Sequence, residues 1–229
     1  MIALKDICFA YEERPVLKHI NLTIEDGETV MLQGPNGCGK STLIRILNAL
    51  EFADVGEYIF EEKRIDKKSM KDERFAKVFH QKIGYVFQNP EVQLFCASVE
   101  EEIAFAPMQM GLERAEVKKK VDHCINLLQI EDLRERAPYY LSTGEKKKVA
   151  IASILSMNPK VLVLDEPLSG LDAETAEWLT DFLLQLKKSG KTMIIATHNH
   201  TFAEMVADRI VYMNRDHQID HILRLKESL

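Results

Sequence analysis

The chain has 229 residues, 46% of them hydrophobic, and a formal net charge of −6, which supports one large or two small domains and opposes a general nucleic-acid-binding role. No apolar stretch approaches the ~18 residues of a membrane span, and Met1-Ile2-Ala3-Leu4-Lys5-Asp6 lacks the apolar core of a signal peptide, so any membrane role is expected to be peripheral. Cys8, Cys38, Cys96 and Cys124 have no CxxC spacing and no histidine cluster beside them, which sets zinc and redox readings aside and fits a reducing cytosol.

In chain order, Ile2 to Phe9 and His19 to Ile24 carry strand-like patches, and Glu25-Asp26-Gly27-Glu28 supplies a turn. A small antiparallel sheet is expected there, leading into the apolar run Thr29-Val30-Met31-Leu32. Residues 67–82 are highly charged and read as an exposed helix, followed by the buried strand Ile83-Gly84-Tyr85-Val86-Phe87 with Gln88 at its end. The pattern turns helical between Val99 and Ala137, with breaks at Ala106-Pro107 and Gly111. Val117, Val121, Cys124, Ile125 and Leu128 fall on one helix face. Val161-Leu162-Val163-Leu164, a helix from Thr175 to Lys188 and a strand from Thr192 to Thr197 then resume an α/β pattern. Continuous apolar strands alternating with helices imply a parallel sheet covered on both faces. The division expected is a core of residues 1–88 and 158–229 with a helical insertion at 89–157.

Three segments carry chemistry. Gly34-Pro35-Asn36-Gly37-Cys38-Gly39-Lys40-Ser41-Thr42 fits the P-loop spacing, between a strand and the helix of Leu43 to Leu47. Its glycines let backbone N–H groups turn onto phosphates, Lys40 is placed to reach the β- and γ-phosphates, and Ser41 to hold Mg²⁺. A turn that merely joins strand to helix needs no Lys followed by Ser-Thr. Asp165-Glu166 closes a hydrophobic strand, which puts two carboxylates at the sheet edge where nucleotides bind in open α/β folds. Asp165 is expected to organise Mg²⁺ and Glu166 to polarise the attacking water as general base. The bland alternative is an exposed pair before the turn at Pro167. Ser142 and Glu145 are spaced as a helix capping box, with Leu141, Thr143 and Gly144 completing the segment. Such a cap still leaves backbone donors for a phosphate, and Gly144 would allow close approach. His198 follows an apolar strand, where it either senses the γ-phosphate or is structural. The runs Lys118-Lys119-Lys120 and Lys146-Lys147-Lys148 read as solvated helix faces, with phosphate binding as the alternative.

These segments in this order resemble the ATP-binding-cassette (ABC) ATPases over essentially the whole chain. The resemblance implies a P-loop core with an N-terminal antiparallel β-subdomain and an inserted helical subdomain, with ATP and Mg²⁺ as cofactors. It implies that Tyr11 stacks on adenine and that Gly34 to Thr42 hold the phosphates. Gln88 becomes the loop glutamine coupling Mg²⁺ and water to the helical subdomain, and Leu141 to Glu145 the family signature. Asp165 and Glu166 become the Walker B pair, Ser169-Gly170-Leu171-Asp172 the dimer-contact loop, and His198 the switch histidine. Two cassettes close head to tail in this family, so a second ABC subunit is expected to complete the site. The signature departs from Leu-Ser-Gly-Gly-Gln at Thr143 and Glu145. Thr143 does not adopt positive φ cheaply, so either the backbone there is ordinary or closure is weakened.

Phe87-Gln88-Asn89-Pro90-Glu91-Val92-Gln93-Leu94-Phe95, with Val99 to Pro107, is similar to the energy-coupling-factor group, the ATPase subunits of cobalt, nickel and vitamin importers. The similarity implies a transmembrane scaffold subunit, a substrate-binding membrane subunit and a place on the cytoplasmic membrane face. Gln88 to Phe95 would line a groove for scaffold helices, where Glu91 either pairs with an arginine or is a solvent-exposed carboxylate. Only residues 208–229 follow the last core strand and helix, leaving little room for the extra C-terminal domain that some members carry. The competing reading is a soluble cassette ATPase acting on nucleic acid, ribosomes or protein assemblies. No coiled-coil insertion, basic arm or paired cassette in the sequence supports it.

Overall fold

The computed structural model describes residues 1–225. The expected core segment 158–229 therefore has its end, residues 226–229, outside the described residues. In chain order, β1 (Ile2–Tyr11) and β2 (Arg14–Ile24) lead through the turn at Gly27 to β3 (Thr29–Gln33) and α1 (Lys40–Leu47). A second short pair, β4 (Val55–Phe60) and β5 (Lys63–Arg64), precedes α2 (Glu73–Lys82) and β6 (Ile83–Val86). Three helices follow: α3 (Val99–Gln109), α4 (Arg114–Leu128) and α5 (Thr143–Leu155). The chain then alternates through β7 (Val161–Asp165), α6 (Ala173–Lys188), β8 (Thr192–Ala196), α7 (His200–Val206), β9 (Arg209–Met213) and β10 (Ile219–Arg224).

The strands form two sheets, ordered β2-β1-β4-β5 and β10-β9-β3-β8-β7-β6. The first is antiparallel; in the second, β9, β3, β8, β7 and β6 run parallel and β10 joins β9 antiparallel. A parallel strand sandwiched between layers has no solvent face, so β3, β7 and β8 are buried at every position. The two-residue side-chain period then sorts their residues between two cores. Met31, Leu162, Leu164, Met193 and Ile195 join the core built with the helices after β6, including Ile103, Ile125, Ile151 and Phe182. Val30, Leu32, Val163, Ile194 and Ala196 join the core built with α1 and the antiparallel sheet, including Leu43, Ile44, Ile7 and Ile20.

The inserted helices thus share a core with the sheet. A Cβ on Gly84 of β6 would lie 2.3 Å from the Ile154 Cγ2, so α5 rests directly on the sheet and needs glycine opposite it. Several expectations are corrected. Residues 89–97 hold a 3₁₀ turn at Pro90–Val92 and irregular chain, because the Asn89 side chain accepts from the Glu91 N–H and starts a turn that the helix does not continue. Pro107 sits inside α3 and does not break it, since in the last turn its missing N–H costs a single helical bond. The charged helix starts at Glu73 on an Asp72 cap, and it buries Phe79. β4 and β5 were not anticipated, as β4 buries only Tyr58 and Phe60 and β5 is two residues long.

Candidate active site

The P-loop leaves the C-terminal end of β3, a central strand whose neighbours are β8 and β9. Gly34, Gly37 and Gly39 all have positive φ, at 144°, 80° and 112°. Glycine is required at Gly39 twice over, because an added Cβ would also meet the Val16 carbonyl oxygen at 2.5 Å. This close approach folds the loop back over the start of α1. Lys40 Nζ donates to the carbonyl oxygens of Gly34 at 2.8 Å and Pro35 at 3.2 Å, so its charge is held across the loop mouth. A cavity of about 440 Å³ opens there, lined by Val16, Asn36, Gly37, Gly39, Lys40, Ser41, Thr42, Gln88, Asp165, Glu166 and His198.

The parallel sheet brings the remaining groups to the same edge. β7 ends on Asp165, which is buried. Desolvation raises its carboxyl above the usual range, partly offset by the Ser41 hydroxyl and by the charges of Lys40 and Arg45. Glu166 follows in the left-handed region, φ 45°, with its N–H bonded to the Ala196 carbonyl at 2.9 Å. A non-glycine residue held there costs about 1–3 kcal/mol, and the gain is direction: the carboxylate turns off the strand into the cavity. Oε2 of Glu166 lies 2.9 Å from His198 Nδ1 and 3.4 Å from the His198 N–H. The His198 side chain is 69% exposed against 14% for Glu166, so the imidazole projects outward from a carboxylate that is nearly enclosed.

Gln88 reaches the cavity from an irregular segment, yet that segment is fixed. Lys147, in the second turn of α5 and only 1% exposed, donates through Nζ to the carbonyls of Gln88 at 2.8 Å and Phe87 at 3.3 Å. Burial pushes its ammonium down to about 8, with Asp165 acting in the opposite direction. Gln93 adds a second tie: its Oε1 accepts from the Phe87 N–H, and its Nε2 donates to the Ala150 carbonyl at 2.9 Å. Sequence reading treated Lys146 to Lys148 as a solvated face, and the fold corrects this. Lys146 pairs with Glu91 at 2.7 Å, Lys147 is buried, and Lys148 lies 4.1 Å over the Trp178 ring. Lys147 and Val16 are site residues that sequence reading missed. Lysine within a basic run and valine within a strand carry no distinguishing signal.

The other predicted residues lie outside this cavity's lining. Tyr11 packs edge-on against Phe9, and its hydroxyl accepts from Arg45 at 3.4 Å. Gly34, Pro35 and Cys38 form the back of the loop, where Cys38 is buried. Ser142, Thr143, Gly144 and Glu145 start α5 with both halves of the capping box in place. Those bonds hold the Glu145 carboxyl below its usual range. Asp172 caps α6 by accepting from the Thr175 N–H at 2.9 Å. One chain therefore presents the P-loop and the Ser142 helix start as two separate surfaces.

The ABC transporter family profile matches residues 17–169, which contain the P-loop, Gln88, the Ser142 segment and Asp165-Glu166. The chain belongs to the ABC transporter ATPase family. It is 44% identical to the nickel import ATP-binding protein LarO of Lactiplantibacillus plantarum, over 96% of this chain and 91% of the relative. It is 43% identical to the energy-coupling factor transporter ATP-binding protein EcfA of Methanothermobacter thermautotrophicus, over 93% of this chain and 68% of the relative. A dimeric ATP-binding cassette solved in a post-hydrolysis state with ADP and phosphate matches with a TM-score of 0.87 and 28% identity, over 99% of both chains. This ABC ATPase binds and hydrolyses ATP. In its signature, Thr143 is the first residue of α5 and is not among the positive-φ residues, so the backbone there is ordinary. Its methyl lies 3.8 Å from the position of a Cβ on Gly170 in the segment leading to Asp172.

Proposed function

We propose that this chain is the ATP-hydrolysing subunit of an energy-coupling-factor importer for a metal ion, nickel or cobalt, or a vitamin. It sits peripherally on the cytoplasmic membrane face with a second ABC subunit, a transmembrane scaffold and a substrate-binding membrane protein. The observation that carries this reading is an apolar groove beside the Gln88 segment. Leu94, Phe95, Cys96, Pro138 and Tyr139 line it with the Glu91–Lys146 ion pair, in a cavity of about 340 Å³. Tyr139 and Tyr140 are each 83% exposed, and Val92, Phe95 and Met108 also stand in solvent. A continuous apolar patch on a soluble face marks a binding surface. Among the described residues no helix is long and apolar enough to cross a membrane, so the partner supplies the spanning segments. LarO is a nickel import ATP-binding protein, which supports the import direction and a metal cargo, and EcfA belongs to an energy-coupling factor transporter, which supports the transporter class.

In this reading Gly34 to Thr42 wrap the phosphates with main-chain N–H groups, and Lys40 leaves its loop carbonyls to meet the β- and γ-phosphates. Tyr11 stacks on adenine. Ser41, Asp165 and Gln88 offer hydroxyl, carboxylate and amide oxygens, the hard donor set that Mg²⁺ prefers, and they line one cavity. Held there, Mg²⁺ would supply positive charge to offset the negative charge that develops on the phosphates. Glu166 accepts the proton of the attacking water. His198, oriented through Nδ1 by Glu166, presents Nε2 to the γ-phosphate. The Ser142 to Glu145 helix start and Asp172 of the second subunit close over the nucleotide. A few charge-assisted hydrogen bonds of about 1.5–3 kcal/mol each suffice for the roughly 5.5 kcal/mol that switches an open pair to a closed one.

The test is affinity capture of tagged Glu166→Gln chain from detergent-solubilised native membranes with ATP, read by mass spectrometry. The reading requires a multispanning protein and a small membrane-embedded one in stoichiometric amounts. Recovery of only soluble partners, ribosomal or nucleic-acid-binding, removes the transport assignment and leaves the ATPase.

A further inference from the structure

Outside the nucleotide cavity lining, three side chains of the β1–β2 pair converge on one point. Asp6 Oδ1 lies 2.7 Å from His19 Nδ1, Cys8 Sγ lies 3.8 Å from the same nitrogen, and all three ligand atoms fall within 4.8 Å of one another. The convergence has a structural cause. The pairing of β1 with β2 slips between Leu4 and Ile7, and again between Ile7 and Phe9. The two slips flank the Ile7–Ile20 pair, whose side chains are fully buried. Each buried isoleucine is preceded by a left-handed residue, Asp6 at φ 54° and His19 at φ 51°. Opposed bulges turn both residues out of the sheet toward each other, and Cys8 shares a strand face with Asp6 because it is two residues on.

Neighbouring polar groups hold this arrangement. Asn21 Oδ1 accepts from the Asp6 N–H at 2.9 Å, and its Nδ2 donates to the His19 carbonyl at 3.1 Å, bracing both bulges with one side chain. The His19 N–H donates to Cys8 Sγ from 3.3 Å, which fixes the sulfur beside the imidazole. We propose that Asp6, Cys8 and His19 form a binding site for a divalent transition-metal ion of the zinc, cobalt and nickel class, with water completing the coordination. Imidazole, thiolate and carboxylate together select this class over Mg²⁺ and Ca²⁺, which take oxygen ligands alone. Metal-to-ligand distances of about 2.0–2.3 Å put ligand atoms of a tetrahedral site roughly 3.2–3.7 Å apart. The sulfur–nitrogen pair, at 3.8 Å, lies just beyond that range and needs to close by about a tenth of an ångström or more. The His19–Asp6 pair opens by about half an ångström when a metal replaces the hydrogen bond between them.

The test uses the full chain with Co²⁺ as probe and Mg²⁺ in excess, which competes for the carboxylates of the nucleotide cavity. One equivalent of Co²⁺ is expected to give a thiolate charge-transfer band and the visible absorption of a four-coordinate ion, both displaced by Zn²⁺. Cys8→Ser should abolish the charge-transfer band. His19→Ala and Asp6→Asn should each weaken binding at least tenfold, Asn21→Ala should weaken it less, and Cys96→Ser should leave the spectrum unchanged. Zn²⁺ should raise the melting temperature of the wild type and not of Cys8→Ser. Absence of a stoichiometric band, or a band that survives Cys8→Ser, overturns the site. Asp6, His19 and Asn21 are exposed and Cys8 is half-buried, outside the core under the sheet, and circular dichroism of each variant establishes that folding is intact.

Discussion

Lys147 Nζ donates a 2.8 Å hydrogen bond to the main-chain carbonyl of Gln88, joining the helix that starts after Ser142 to the segment that enters the cavity beside the P-loop. The two parts are about 60 residues apart in sequence, and in the proposed assembly they face different partners: one the nucleotide of a second subunit, the other the occupant of the apolar groove. A fully buried ammonium is a costly tie unless its bonds are satisfied. Here two of its three N–H donors are satisfied, by the carbonyls of Phe87 and Gln88.

Lys147→Met should therefore uncouple these surfaces more than it unfolds the protein. Removing the cation relieves its burial cost while leaving two carbonyls short of a donor, so the melting temperature should move by only a few degrees. ATPase turnover in the assembled complex should fall about 2–30-fold, the range of coupling effects of about 0.5–2 kcal/mol, with KM for ATP unchanged. Steady-state kinetics resolve this, and a KM change with constant kcat contradicts it.

Glu166→Gln keeps the shape of the carboxylate and removes its basicity. Turnover should drop about 10²–10⁴-fold while ATP affinity holds, and the nucleotide-bound dimer should accumulate on size exclusion. His198→Ala should also slow turnover, because Nδ1 of His198 lies 2.9 Å from the Glu166 carboxylate and both line the same cavity. Abundant hydrolysis in Glu166→Gln rules out the assigned base.

Gly39→Ala tests the loop geometry. The alanine must take φ near 112° and place its Cβ 2.5 Å from the Val16 carbonyl oxygen. The conformation alone costs about 1–3 kcal/mol. Loss of ATP binding with a lowered melting temperature is expected, measured by fluorescent-nucleotide titration and thermal denaturation.

Thr143→Gly should preserve or raise ATPase activity in the assembled complex. Thr143 occupies ordinary helical backbone, so glycine relieves no strain; it removes a β-branched side chain from the helix start that, in the proposed dimer, faces the nucleotide of the second subunit. A large loss of activity would show that the threonine itself contributes to closure.

Arg134 bonds Glu100, Asp122 and Glu131 at 2.8–2.9 Å and so ties α3 to α4. Its hydrogen bond holds the Asp122 carboxyl below the usual aspartate range. Between the folded and unfolded pKa values the unfolded chain binds more protons, so stability rises with pH there. The Asp122 contribution is thus complete above the unfolded value and lost as pH falls through the lower, folded one. Wild type should melt above Asp122→Asn at neutral pH, and the gap should close below about pH 3.8 as both carry a neutral group. A gap constant down to strong acid excludes the charge as its source.

Local pattern was enough for what depends on local chemistry. Gly34 to Thr42 between an apolar strand and a helix, Ser142 with Glu145 three residues on, and Asp165-Glu166 after four apolar residues each fix their own backbone or terminus. The chain therefore declared its α/β class, its ATP chemistry and its ABC family in its sequence, and structure and relatives agree. Tertiary structure alone decided what depends on distant segments meeting. Lys147 reads as one of three solvated lysines until α5 lies on β6. The left-handed turn of Glu166 depends on the Ala196 carbonyl across the sheet, and the Glu91–Lys146 pair on two segments 55 residues apart. Opposed bulges gather Asp6, Cys8 and His19, and register is a property of two paired strands. Sequence periodicity reports which face of an element is apolar; which groups meet across elements is set by packing, sheet order and register.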